Sequence, residues 1–161
     1  MSKSKKPVLL LAGALALLVC SFGSSAFAVA IPQTTEQLVG NSSDVIRGKV
    51  VSQESQWDES HSIIYTVVSI EVNDVVSGSL AKSGIVSVVI PGGQVGDTGM
   101  SVEHAPEFAT GEEVVLFLTT NDGVYGVTSW EMGKFTIQNG AVREKKLPVA
   151  EFINEIKSFK K

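Results

Sequence analysis

The alternation of apolar and polar residues along the chain predicts a mainly β domain. Between residues 63 and 76 apolar and polar side chains alternate with a period of two, which places Ile64, Val68 and Ile70 on one face of a half-buried strand. The segment 112–119 is apolar on both faces, as expected for a central strand. Further strands are predicted over residues 44–54, 84–90, 124–130, 134–138 and 141–143.

Turn and helix signals complete this outline. Asp122-Gly123 and Asn139-Gly140 predict hairpin turns, and residues 34–39 suit a short helix. Near the C-terminus, Phe152, Ile153 and Ile156 recur at helical spacing, which predicts an amphipathic helix over residues 148–160. The pattern therefore favours a small OB-like barrel or meander of six or seven strands with two flanking helices; a two-sheet β-sandwich is the alternative.

Residues 1–28 have the organisation of a secretory signal peptide. A short basic region precedes an apolar stretch from residue 7 to residue 20, and small residues then allow cleavage after Ala28 or Ala30. The rest, residues 31–161, would be one domain in the secreted fraction or cell envelope. Two alternatives place the protein at a membrane: an uncleaved anchor through residues 7–30, or lipidation at Cys20.

Removal of the signal changes the composition of the chain. Three of the 13 basic residues lie in residues 1–28, which leaves 10 basic residues against 17 acidic ones. An acidic domain repels phosphate groups, so nucleic acid is not an expected partner. The only cysteine also lies in the signal, so hydrophobic burial must hold the mature domain together without disulfides.

The candidate chemistry is sparse. His61 and His104 each have carboxylates nearby in sequence and are the candidate metal ligands, but no His-Glu-x-x-His motif, cysteine pair or calcium-type loop accompanies them. No cofactor is expected, and the chain is predicted to be non-catalytic. A metal-dependent hydrolase that uses these two histidines and the loop acids is one alternative hypothesis.

The long segment 92–111 and two tryptophans are the candidate binding features. This segment lacks sustained periodicity, and a loop of such length in a small domain is typically functional or disordered. Gly92, Gly93 and Asp97 are therefore the predicted loop surface. Trp57 and Trp130, which are flanked by polar residues, are the candidates for contact with a partner.

Several short motifs match one known domain. They are Asp44-Val45-Ile46-Arg47-Gly48-Lys49-Val50, Tyr65-Thr66, Pro91-Gly92-Gly93 with Gly96, Pro106-x-Phe108, Gly111-Glu112-Glu113-Val114-Val115-Leu116-Phe117-Leu118 and Gly133-Lys134-Phe135. The chain resembles a secreted bacterial and archaeal domain of unknown function that occurs alone or ahead of matrixin-type zinc protease domains. The resemblance covers about residues 35–140, lacks the protease half, and implies no catalytic residues.

These observations lead to one functional hypothesis and two alternatives. The first is an exported, non-catalytic β domain that binds or supports another secreted or envelope protein through segment 92–111. The second is an inhibitor or chaperone-like partner of an exported protease. The third is the metal-dependent hydrolase already described.

Overall fold

A five-stranded ring of β-strands forms the centre of the domain that the structure describes. The computed structural model describes residues 32–159; the predicted signal peptide and Cys20 lie outside the described residues. The strands are β1 (Asp44–Trp57), β2 (Ile64–Ser77), β3 (Ile85–Pro91), β4 (Gly93–Val95), β5 (Thr98–Met100), β6 (Glu113–Asn121), β7 (Val124–Val127), β8 (Lys134–Gln138), β9 (Ala141–Val142) and β10 (Leu147–Pro148). The helices are α1 (Thr35–Asn41) and α2 (Val149–Ser158).

The main sheet closes on itself. Its strand order is β1-β2-β3-β7-β6-β8-β9-β10, and an additional antiparallel pairing of β1 with β6 completes the ring β1-β2-β3-β7-β6. The closing pair of β3 with β7 is parallel and has a single bridge between Val88 and Tyr125. A five-stranded barrel with this connectivity is of the OB type, so the predicted mainly β, OB-like fold is confirmed in preference to the sandwich.

Strand β6 supplies side chains to two separate hydrophobic cores. Val114, Leu116 and Leu118 point into the barrel, while Val115 and Phe117 point outward, and all five are fully buried. Both helices and strands β8–β10 cover the outer core. The main residues of this core are Leu38, Phe135, Val142, Phe152 and Ile156. The sequence prediction that this strand is buried on both faces is thereby explained.

The two helices have the predicted positions. Thr34 caps α1, because its hydroxyl accepts from the backbone N–H of Gln37 while the Gln37 side chain accepts from the backbone N–H of Thr34. Helix α2 buries Phe152 and Ile156 completely. No helix within residues 32–159 is long and apolar enough to cross a membrane.

Two local predictions differ from the structure. Strand β7 ends at Val127 and not at residue 130, because Ser129 and Trp130 have positive φ angles of 56° and 59° and lead into a 3-10 turn, Trp130–Gly133. Segment 92–111 is not entirely irregular, since β4 and β5 form a short antiparallel hairpin within it. Strands of three residues are too short to give a periodic signal.

Candidate functional site

A groove lies between the end of the barrel and the segment that follows β5. We call it the barrel-end groove; its volume is about 370 Å³. Ligand pockets in proteins span about 300–1,000 Å³. Its apolar lining includes Val68, Ile90, Val102, Ala105, Pro106 and Phe108. Its polar lining includes Gln53, Thr66, Ser101 and Glu107.

Two glycines shape one wall of the barrel-end groove. Gly92 and Gly93 have φ angles of 93° and 137°, a region that side chains disfavour. A Cβ atom at Gly93 would lie 2.4 Å from both the Ser55 and the Thr66 hydroxyl oxygens. The Thr66 hydroxyl donates a 2.7 Å hydrogen bond to the Gly92 carbonyl. Glycine at position 93 thus lets β4 pack directly against β1 and β2 where Ser55 and Thr66 pair, and glycine at position 92 leaves room for the Met100 carbonyl of β5.

The opposite wall, residues 101–108, is fixed to the barrel by polar contacts. The Gln53 amide donates a 3.0 Å hydrogen bond to the Phe108 carbonyl. The ammonium of Lys134 lies 4.9 Å from the centre of the Phe108 ring, within cation–π distance. Ala105 and Phe108 also pack against the barrel core. Both walls of the groove are therefore held by specific contacts within the protein.

An ion pair behind this wall connects it to β8. Glu112 accepts 2.8 Å hydrogen bonds from the Lys134 ammonium and the Thr136 hydroxyl, and a 3.1 Å bond from the backbone N–H of Ala109. The side chains of Lys134 and Glu112 are only 11% and 14% exposed. Burial by itself raises the pKa of Glu112, but the hydrogen bonds from Lys134, Thr136 and Ala109 outweigh it and lower that pKa. Glu112 therefore stays ionised in the folded protein.

A second hollow adjoins the barrel-end groove and is rich in acidic side chains. We call it the acidic basin; its volume is about 670 Å³. Glu103, Glu107 and Glu131 line it together with His104. His104 contacts Glu131 at 3.0 Å through Nδ1 and Glu103 at 3.6 Å through Nε2. The basin is negative because its four carboxylates, Glu144 included, outnumber the two cations that line it, Lys134 and Arg143.

The predicted binding residues separate into two groups. Gly92 and Gly93 line the barrel-end groove, whereas Asp97, Trp57 and Trp130 are not part of its lining. Asp97 lies in the turn between β4 and β5. Trp130 begins the 3-10 turn and is 49% exposed.

Trp57 is instead the last residue of β1, and it stacks on His61 of the β1–β2 loop with ring centres 6.3 Å apart. Asp58 orders this loop by accepting hydrogen bonds from the Ser60 hydroxyl and from the backbone N–H groups of Ser62 and Ile63, at 2.6 to 2.9 Å. These bonds, above all the one from Ser60, lower the pKa of Asp58 to about 2. The loop thus gives Trp57 a fixed, partly exposed ring.

The two histidines lie in different loops. His61 stacks on Trp57, and His104 lies in the acidic basin against Glu131. Across residues 32–159, no group of three or more His, Cys, Asp or Glu side chains is arranged to hold a metal ion.

Sequence reasoning did not identify most of the groove lining. Gln53 and Thr66 belong to β1 and β2, and only the folding of segment 101–108 over the barrel brings them next to Glu107 and Phe108. The spacing Pro106-x-Phe108 was visible as a motif but carried no chemical meaning by itself. Positions so distant in sequence give no local signal.

The comparisons with known proteins add no relative. No family model matches this chain, and no curated protein matches it significantly. The resemblance to the secreted domain associated with matrixin-type proteases therefore stays a prediction.

Proposed function

We propose that this chain is an exported, non-catalytic binding domain that holds a segment of another secreted or envelope protein in the barrel-end groove. The observation that carries the proposal is the groove itself, which has a volume of about 370 Å³ and a lining in which apolar and polar groups are mixed. In ligand sites, apolar contacts supply affinity and placed polar groups supply orientation.

The fixed walls of the groove support the same proposal. One wall is held by the close packing of Gly93 against Ser55 and Thr66. The other is held by the contacts of Phe108 with Gln53 and Lys134. A groove that is already formed costs little conformational entropy when a ligand enters, which favours binding.

Export is tested by the intact mass of the protein recovered outside the cytoplasm. We expect the mass of a chain that begins at Val29 or Ile31, after cleavage behind Ala28 or Ala30. Recovery of the uncut chain from membranes would instead identify an anchor, and retention of the uncut chain in the cytoplasm would contradict export.

Binding is tested by site-directed photo-crosslinking. A photoreactive group attached at Ser101, an exposed residue of the groove lining, should crosslink to one defined protein of the exported fraction. The matched control carries the group at Ser83, an exposed residue of the β2–β3 connection outside the groove. Unlabelled protein should compete, whereas its Ser101→Trp variant, with a filled groove, should not.

Two results would contradict the proposed site: identical products from Ser101 and Ser83, or no product from Ser101. Recovery of a protease as the product would specify the function as protease inhibition.

A further inference from the structure

We infer that the barrel-end groove and the acidic basin together dock an extended, basic polypeptide segment, with an apolar side chain in the groove and a lysine or arginine over the basin. This inference rests on the proposed function and specifies the chemistry of the partner. It follows from the segment that borders both hollows and from the charge of the acidic basin.

The two hollows share one bordering segment, and we call the two together the trough. Five residues line both of them: Ser101, Val102, Ala105, Pro106 and Glu107. A ligand in the groove therefore lies next to the segment that also borders the basin. The two parts differ in chemistry, because the groove is floored by Val68 and Ile90 whereas the basin is bordered mainly by charged side chains.

The positive charges at the basin are already engaged by other carboxylates. The Lys134 ammonium lies 2.8 Å from Glu112, and the Arg143 guanidinium lies 2.8 Å from Glu144. Within residues 32–159, no lysine or arginine pairs with the other three basin carboxylates, two of which contact the imidazole of His104. They are Glu103, Glu107 and Glu131.

The remaining carboxylates are accessible to a ligand. The side chains of Glu103 and Glu131 are 90% and 57% exposed, and Glu107 is also exposed. A negative field over an open trough attracts a cationic side chain and repels anionic ligands such as phosphates. Charge complementarity thus favours a basic segment as the occupant.

A polypeptide segment matches the order of the two chemistries along the trough. An extended chain presents side chains at regular intervals of about 3.3 Å per residue, so an apolar and a basic residue a few positions apart can reach the groove and the basin together. Apolar contact would supply affinity, and the exposed carboxylates would supply selectivity for the basic residue.

The test is selection of a random peptide library on the purified protein, followed by affinity measurements for the enriched peptides. We expect these peptides to combine an apolar residue with lysine or arginine a few positions away. A triple variant, E103Q/E107Q/E131Q, should bind them about tenfold more weakly, because the cationic side chain loses the attraction of three exposed carboxylates. Added salt should weaken binding to the wild-type protein more than binding to this variant.

The matched control is E36Q/E59Q/E151Q, which removes the same charge at exposed positions outside the trough. It should bind the peptides as the wild-type protein does. Equal loss in both triple variants would show a general effect of net charge and would overturn the inference. Unfolding midpoints equal to that of the wild-type protein would show that the variants are folded.

Failure of the inference and failure of the proposed function give different results. If enriched peptides lack basic residues and bind E103Q/E107Q/E131Q normally, but do not bind Ser101→Trp, the groove is a binding site and the basic segment is wrong. If no peptide distinguishes the wild-type protein from Ser101→Trp, both proposals are wrong.

Discussion

Replacement of Glu112 by glutamine should destabilise the protein. The Glu112 carboxylate accepts from three donors, on Lys134, Thr136 and Ala109. A glutamine side chain has one acceptor oxygen and one donor group, so one of its ends must face another donor. It also leaves the largely buried ammonium of Lys134 without its negative partner.

The size of this destabilisation follows from the burial of the Lys134–Glu112 ion pair. Exposed ion pairs contribute about 0–1 kcal/mol, whereas breaking a fully buried pair costs about 3–5 kcal/mol. With Lys134 and Glu112 exposed by 11% and 14%, Glu112→Gln should lower the free energy of unfolding by about 2 kcal/mol. The double variant with Lys134→Met should recover part of this loss, because it removes the unpaired charge.

The free energy of unfolding that Glu112→Gln loses should depend on pH in a defined direction. The pKa of Glu112 is lowered from 4.5 in the folded protein, so its ionised form stabilises the fold at pH values above the unfolded pKa. That contribution disappears as the pH falls through the lowered folded pKa. The difference between the wild-type protein and Glu112→Gln should therefore be constant above about pH 6 and shrink below about pH 4.5.

Urea unfolding followed by circular dichroism measures this difference. With an m-value of about 2 kcal/mol per M, the midpoint should fall by about 1 M at pH 7. A change of less than about 0.5 kcal/mol, typical of a surface substitution, would refute the reasoning. A loss that did not change with pH would assign the effect to packing and not to charge.

Three further predictions concern the outer core, the groove and the β1–β2 loop. Phe152→Ala should cost about 3–5 kcal/mol in urea unfolding, because the ring is fully buried. Gly93→Ala should cost about 1–3 kcal/mol more than Gly96→Ala, because both glycines have positive φ but only the Gly93 position is crowded. NMR titration should give Asp58 a pKa of about 2, and Ser60→Ala should raise it.

The sequence was sufficient for the strands of the barrel. In β2, Ile64, Val68 and Ile70 lie on one face at even-numbered positions, and all three are buried. This agreement arises because a strand with one face toward a core must carry an apolar residue at every second position. The hairpin turn at Asp122-Gly123 was predictable for a similar reason, since both residues have positive φ.

The candidate site was predictable only in part. Segment 92–111 was identified by its length and its glycines, and Gly92 and Gly93 do line the groove. The partners of that segment, Gln53 and Lys134, belong to β1 and β8. A periodic pattern within one strand does not indicate which distant residues that strand contacts. The acidic basin likewise depends on the folded positions of side chains from separate segments.

The position of β6 links the two cores during unfolding of the domain. This strand pairs with β1 along one edge and with β7 and β8 along the other, and its side chains fill both cores. Neither core can open without separating β6 from its neighbours. Unfolding should therefore be cooperative, and the slowest amide exchange should occur at residues 114–118. A destabilising substitution in the outer core would consequently also destabilise the barrel that carries the groove.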